Sequence, residues 1–161
     1  MNLASQQIKS TSVLITLLIT MLFSTITIAA DTETKSLDAV LAEHKGEVIY
    51  LDFWASWCVP CRRSFPWMNE MHKKYQAQGF TVVSVNLDAE QQLARQFLTE
   101  TPANFIVVYD PKGLTAKQYK LKGMPSSYMI GRDGKLKRAH VGFFTDKKAV
   151  YEQEIQTLLK L

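Results

Sequence analysis

Two kinds of apolar run alternate along this chain. Val48 to Phe53 is a near-continuous block rich in β-branched and aromatic residues, which predicts a strand covered on both faces in the middle of a mixed or parallel sheet, and Phe80 to Leu87 reads as the next strand. Between them Phe65, Met68, Met71, His72 and Tyr75 recur at helical spacing, predicting a helix from just after Cys58 to about Gln78 with Gly79 as its stop. Pro66 lies inside that pattern and is expected to kink the helix rather than end it, because the periodicity continues beyond it. Ser36 is a good N-cap for a short helix that carries Leu37, Val40 and Leu41 on one face and ends near Gly46. Further on the pattern predicts a helix over Ala89 to Leu98, a strand over Asn104 to Tyr109 and a short helix over Leu114 to Tyr119. Tyr128 to Ile130 and Leu136 to Val141 flank the turn Arg132-Asp133-Gly134-Lys135 and read as an antiparallel hairpin. A last helix, capped by Asp146, sets Val150, Ile155, Leu158 and Leu159 at helical spacings. Strands alternating with helices, closed by a hairpin and a helix, indicate a layered α/β domain with a mixed sheet.

The first thirty residues follow a different rule. Lys9 is the only charge before Asp31, Val13 to Ile28 is almost wholly apolar, and Ala29-Ala30 precede a polar stretch. That is the organisation of an export signal. The alternative is a retained N-terminal anchor, for which the apolar run is near the lower limit of the roughly 17–25 residues that span a bilayer. Residues 1–30 are therefore read as signal peptide or membrane anchor and 31–161 as one globular domain, and either fate carries that domain to a periplasmic or other extracytoplasmic compartment where disulfides persist. With 47% hydrophobic and 21% charged residues the 161-residue chain can build a core, and its net charge of +4 is weak. Lys135, Lys137 and Arg138 cluster without interleaved aromatics or a nucleic-acid motif, so they read as solvated surface and no nucleic-acid partner is expected.

Chemistry concentrates at Trp57-Cys58-Val59-Pro60-Cys61, which holds both cysteines of the protein. A strand that passes through a thiol into a helix puts the first sulfur at the helix N-terminus, where free amide donors and the macrodipole favour a thiolate. Cys58 is thus the better nucleophile. Cys61, one turn on, can attack a mixed disulfide on Cys58 and close the ring. Zinc would need two further ligands, and His44, His72 and His140 are scattered, so no metal site is assigned. A Cu(I) site built from both thiolates plus one histidine is the alternative binding reading. Asp52 interrupts an otherwise apolar strand and must be paired, hydrogen-bonded or held neutral by a raised pKa. Arg62 and Arg63 either fold toward Cys58 or point to water.

Asp52 to Cys61, Pro66 in the following helix and Met124-Pro125-Ser126 before the hairpin resemble a thioredoxin-like fold, and the segment from about Ala89 to Asp110 resembles the helix–strand insertion of the exported TlpA and ResA branch. The resemblance covers essentially everything after Ser36. It implies a thiol:disulfide oxidoreductase with no cofactor other than its redox-active Cys58–Cys61 disulfide, in which Cys58 attacks and Cys61 resolves. It also implies that Pro125 is cis and faces the dithiol, that the backbone of Met124 pairs with the substrate chain, and that Trp57 forms the rim of the groove. Catalytic roles then fall to Cys58, Cys61 and Asp52, the last as proton acceptor from Cys61, and substrate binding to Trp57, Met124 and Pro125. Partners would be disulfide-bearing exported proteins and a membrane electron donor, with reduction favoured over oxidation or isomerisation because Val59-Pro60 adds no charge or histidine donor. Two departures stand out. Asp52 replaces the Asn, and Ser64 the Glu, frequent in exported members that serve cytochrome c maturation, and Ser84 occupies the place where thioredoxin has a lysine near its buried acid.

Overall fold

The computed structural model describes residues 35–161, so the 1–30 segment lies outside it. Its elements follow in the order α1 (Leu37–Glu43), β1 (Val48–Trp54), α2 (Val59–Tyr75), β2 (Phe80–Asn86), α3 (Gln91–Glu100), β3 (Ile106–Tyr109), α4 (Leu114–Gln118), β4 (Ser126–Ile130), β5 (Leu136–Val141) and α5 (Lys148–Leu159). The five strands form one sheet in the order β3-β2-β1-β4-β5. β1, β2 and β3 run parallel, while β4 is antiparallel to both β1 and β5. This is the mixed sheet flanked by helices that the alternation of runs predicts, and α3 with β3 forms the expected insertion, adding an edge strand beside β2.

All seven residues of β1 and of β2 are buried, and each strand serves two cores. Val48, Tyr50 and Trp54 join Phe65, Trp67, Met68 and Met71 of α2 in one cluster that also contains Cys58 and Cys61. Ile49, Leu51 and Phe53 face the other way, onto Leu37 and Val40 of α1. A strand in this position has no solvent face, so its sequence cannot alternate. α2 runs through Pro66 without ending and passes into a 3-10 turn over Gln76–Gln78, closed by Gly79 in the left-handed region at φ +78°. Gly134, at φ +73°, likewise closes the β4–β5 turn, where Gly134 N–H donates to Gly131 O at 2.8 Å.

The C-terminal helix departs from the sequence reading. Asp146 lies within a 3-10 turn, Thr145–Lys147, and α5 starts after Lys147 with no side-chain cap. Ile155 and Leu158 are buried as expected and Leu159 partly so, but Val150 is exposed and Tyr151 takes its place in the buried stripe. Tyr151 packs instead against Trp67 and Phe143, with ring centroids 5.7 and 5.8 Å away.

Candidate active site

β1 ends at Trp54, and the chain turns through Ala55, Ser56 and Trp57 into α2. Cys58 is the N-cap of α2 in extended conformation, and its Sγ accepts the Cys61 amide at 3.3 Å. Proline follows within the first turn, where no amide donor is missed. The sequence thus builds a site in which one sulfur caps the N-terminus of a 17-residue helix and accepts a first-turn amide. Cys58 and Cys61 form a disulfide with Cα atoms 5.2 Å apart. Cys61 is fully buried and Cys58 nearly so, while Trp57 beside them is 69% exposed. Ser64, where a Glu is frequent among exported members, is buried and donates to Cys61 O at 2.7 Å, tightening the first turn.

Asp52 lies on the sheet face that α2 covers, between Tyr50 and Trp54, and is 1% exposed. Its Oδ2 is buried without a hydrogen-bond partner, and burial alone pushes its carboxyl well above the usual range. The Tyr50 hydroxyl is raised too, first by burial and then by the neighbouring Asp52 charge. Ser84 sits opposite Asp52 in the β1–β2 register, but its hydroxyl is engaged elsewhere. It accepts Trp54 Nε1–H at 3.2 Å and donates to Ile106 O at 3.3 Å. Of the routes open to a carboxyl in an apolar strand, the fold takes the third: a group pushed toward its neutral form.

The Met124–Pro125 bond is cis, as the resemblance implies. Phe53 pairs with Ser126, so Pro125 falls at the end of the sheet where β1 leaves for the cysteines. Its carbonyl accepts Gly142 N–H at 2.7 Å, and Ser126 Oγ donates to Gly123 O at 2.7 Å, which fixes this loop from both sides. Met124 packs against the cluster that contains both cysteines. Arg62 turns away to α3: its guanidinium lies 5.2 Å from the centroid of Phe97 and its Nη2 3.9 Å from Glu100. A groove of about 280 Å³ runs there beside Trp57, lined by Ser56, Arg62, Leu93, Phe97 and Glu100. The three histidines are engaged separately: His44 with Glu47, His72 with the Val82 amide, and His140 with Glu154.

Three polar residues that the sequence did not single out meet at the same end of the sheet. Ser56 donates to Asp88 through its backbone N–H at 2.9 Å and its hydroxyl at 3.0 Å, and Asn86 Nδ2 donates to Asp88 at 2.7 Å. The available signal was Asn86-Leu87-Asp88 directly after an apolar strand, which alone reads as ordinary loop.

A helix-capping disulfide on the central strand's exit, with a cis proline at the same sheet end, places the molecule among the thioredoxin-like disulfide domains. The chain belongs to the Redoxin family, whose model matches residues 20–155. Thiol-disulfide oxidoreductase ResA of Bacillus thuringiensis subsp. konkukian is 31% identical over 109 residues, covering 68% of this chain and 62% of that protein. ResA of Bacillus subtilis is 30% identical over 116 residues, covering 72% and 64%. The chain thus spans a little under two thirds of the length of these relatives. Among solved structures, a Chlorobium tepidum protein provisionally described as thiol:disulfide interchange protein DsbE superposes with a TM-score of 0.73 at 55% identity, covering 74% of this chain and 84% of that one. StoA from Bacillus subtilis follows the same fold with a TM-score of 0.59 at 27% identity, covering 68% and 84%.

Proposed function

We propose that the protein is an exported thiol:disulfide oxidoreductase that reduces disulfides of partner proteins outside the cytoplasm. The observation that carries this reading is the Cys58–Cys61 bond at the N-terminus of α2, with Cys58 as the N-cap and Cys61 buried behind it. In the reduced protein the Cys58 thiolate attacks one sulfur of a partner disulfide, and the partner's other sulfur leaves as a thiolate and takes up a proton. Cys61 then loses its proton, attacks Cys58 Sγ and expels the second partner sulfur. Two electrons pass to the partner, and the Cys58–Cys61 disulfide is left behind.

Asp52 serves the second half of this exchange. A carboxyl held toward its neutral form by burial has a proton affinity closer to that of a thiol, so it can accept the Cys61 proton directly or through water. Trp57, Met124 and the Pro125 loop supply the partner-binding surface, with Trp57 as its exposed rim. The spent disulfide needs a dithiol donor, and a membrane electron carrier fits a compartment poor in soluble reductants. Residues 1–30 act as signal or anchor. Among the described residues no helix is long and apolar enough to cross a membrane.

Replacing Cys61 with Ser removes the resolving thiol, so Cys58 retains each partner as a mixed disulfide that can be isolated and identified. The expected catch is a set of exported disulfide proteins, together with insulin reduction by the intact dithiol. Stoichiometric retention of Cu(I) without cleavage of any model disulfide would overturn the proposal in favour of a metal-binding role. A reduction potential near that of the strong periplasmic oxidants would reverse the direction of electron flow.

A further inference from the structure

Ser56 lies two residues before Cys58, and one carboxylate holds it at both its backbone and its side chain. Asp88 Oδ2 accepts Ser56 N–H at 2.9 Å and Asn86 Nδ2 at 2.7 Å, and Asp88 Oδ1 accepts the Ser56 hydroxyl at 3.0 Å. Asp88 N–H donates in return to Asn86 Oδ1 at 3.1 Å, which fixes the Asn86 amide so that its NH₂ faces the carboxylate. Asp88 is 1% exposed. Two backbone bonds meet at the same node: Leu87 N–H donates to Trp54 O, and Asp110 N–H donates to Asn86 O, each at 2.9 Å. The exit of β1, the exit of β2 and the far end of the insertion are therefore joined at the segment Asn86-Leu87-Asp88, with Asp88 holding Ser56 to it.

We propose that Asp88 is a positioning residue for Cys58. It holds the Ser56-Trp57-Cys58 turn against the start of the insertion, so that the Cys58 sulfur stays on the axis of α2, where it accepts the Cys61 amide. The role assumes the thiol:disulfide activity proposed above, and it makes the insertion part of the apparatus that sets nucleophile reactivity. An isosteric amide separates position from charge. With asparagine at 88 the side-chain oxygen can still accept the Ser56 and Asn86 N–H groups, and its NH₂ can donate to the Ser56 hydroxyl, which accepts as readily as it donates. Alanine at 88 leaves all three donors without their partner.

The test is alkylation of Cys58 by iodoacetamide in the fully reduced protein as a function of pH, alongside the equilibrium of the Cys58–Cys61 couple with glutathione. A loosened turn lets the sulfur leave the helix axis, so Asp88→Ala should alkylate about threefold more slowly at pH 7, with its pH profile displaced upward. Asp88→Asn should alkylate as fast as wild type or faster, because losing a nearby negative charge favours the thiolate. Ser56→Ala, which removes one of the two ties, should shift the profile in the same direction as Asp88→Ala by less, and it carries the test if the alanine variant at 88 does not fold. Wild-type reactivity in Asp88→Ala, equal slowing in the alanine and asparagine variants, or an unshifted Ser56→Ala profile where it must carry the test would overturn the role. A wild-type protein whose dithiol cleaves no model disulfide would instead remove the activity itself, and alkylation reads independently of that.

Discussion

Asp52 and Asp88 are equally hidden from water, the first on the strand that leads into the turn carrying the cysteines and the second hydrogen-bonded to Ser56 of that turn, yet the fold treats them in opposite ways. Asp88 accepts three hydrogen bonds from Ser56 and Asn86. Asp52 has an oxygen with none, and its carboxyl is raised by burial. A buried carboxylate with its donors supplied is a structural joint. One left without donors costs free energy whenever it ionises, and such a cost is tolerated where a proton must move. The same side chain therefore meets two environments at one end of the sheet, and the difference lies in whether its neighbours supply N–H and O–H groups.

The contrast can be broken most sharply at Asp52. Asp52→Asn should slow the Cys61-dependent release of a preformed mixed disulfide at neutral pH on the order of 100-fold, read by single-turnover stopped flow; an unchanged rate would remove its role as proton acceptor. Stability should move in opposite directions at the two sites. Asp88→Ala strands one buried donor on Asn86 and two on part-buried Ser56, and should cost about 1–3 kcal/mol in chemical denaturation. Asp52→Asn should instead gain about 1–3 kcal/mol over wild type at alkaline pH, because it cannot ionise in the core. The sign follows from the raised value: the stabilising contribution of Asp52 is intact below the ordinary carboxylate range and is lost as pH climbs through its folded pKa. Wild-type stability should thus fall with rising pH over that span, whereas the Asp52→Asn profile lacks this component. Ser56→Ala removes a single hydroxyl bond and should cost about 1 kcal/mol. The smallest effect is expected at Trp57, where Trp57→Ala should change stability by less than about 0.5 kcal/mol while raising the KM for protein disulfides and sparing the rate with a small disulfide.

The sequence was most legible where one residue type has one use. The near-continuous apolar run of β1 marks it as central because a strand covered on both sides loses its alternation, and the spacing of Cys58 and Cys61 points to the ring-closing dithiol that the structure holds as a disulfide. Pro125 was assigned as cis through likeness to other chains, since its own neighbours describe only a turn. Two features escaped for physical reasons. The sequence reads Asp146 as the cap of α5, but a 3-10 turn absorbs it and Lys147 takes the N-cap position, and the apolar pattern counts Val150, which is exposed, while passing over Tyr151, which is buried. Asp88 escaped because its meaning lies in Ser56, 32 positions away in the chain, and a polar residue after a strand does not announce a distant partner.

One consequence follows from the insertion helix. Phe97 of α3 lies with its ring centroid 5.3 Å from that of Trp54 and 4.9 Å from that of Phe65, and Phe105 in the loop beyond α3 lies 5.5 Å from Phe65. Trp54 and Phe65 belong to the strand and helix on either side of the sulfurs. Excising 89–110 to leave a minimal domain would strip those two rings of their packing partners, so what looks like an accessory graft is one wall of the core cluster that holds Cys58 and Cys61.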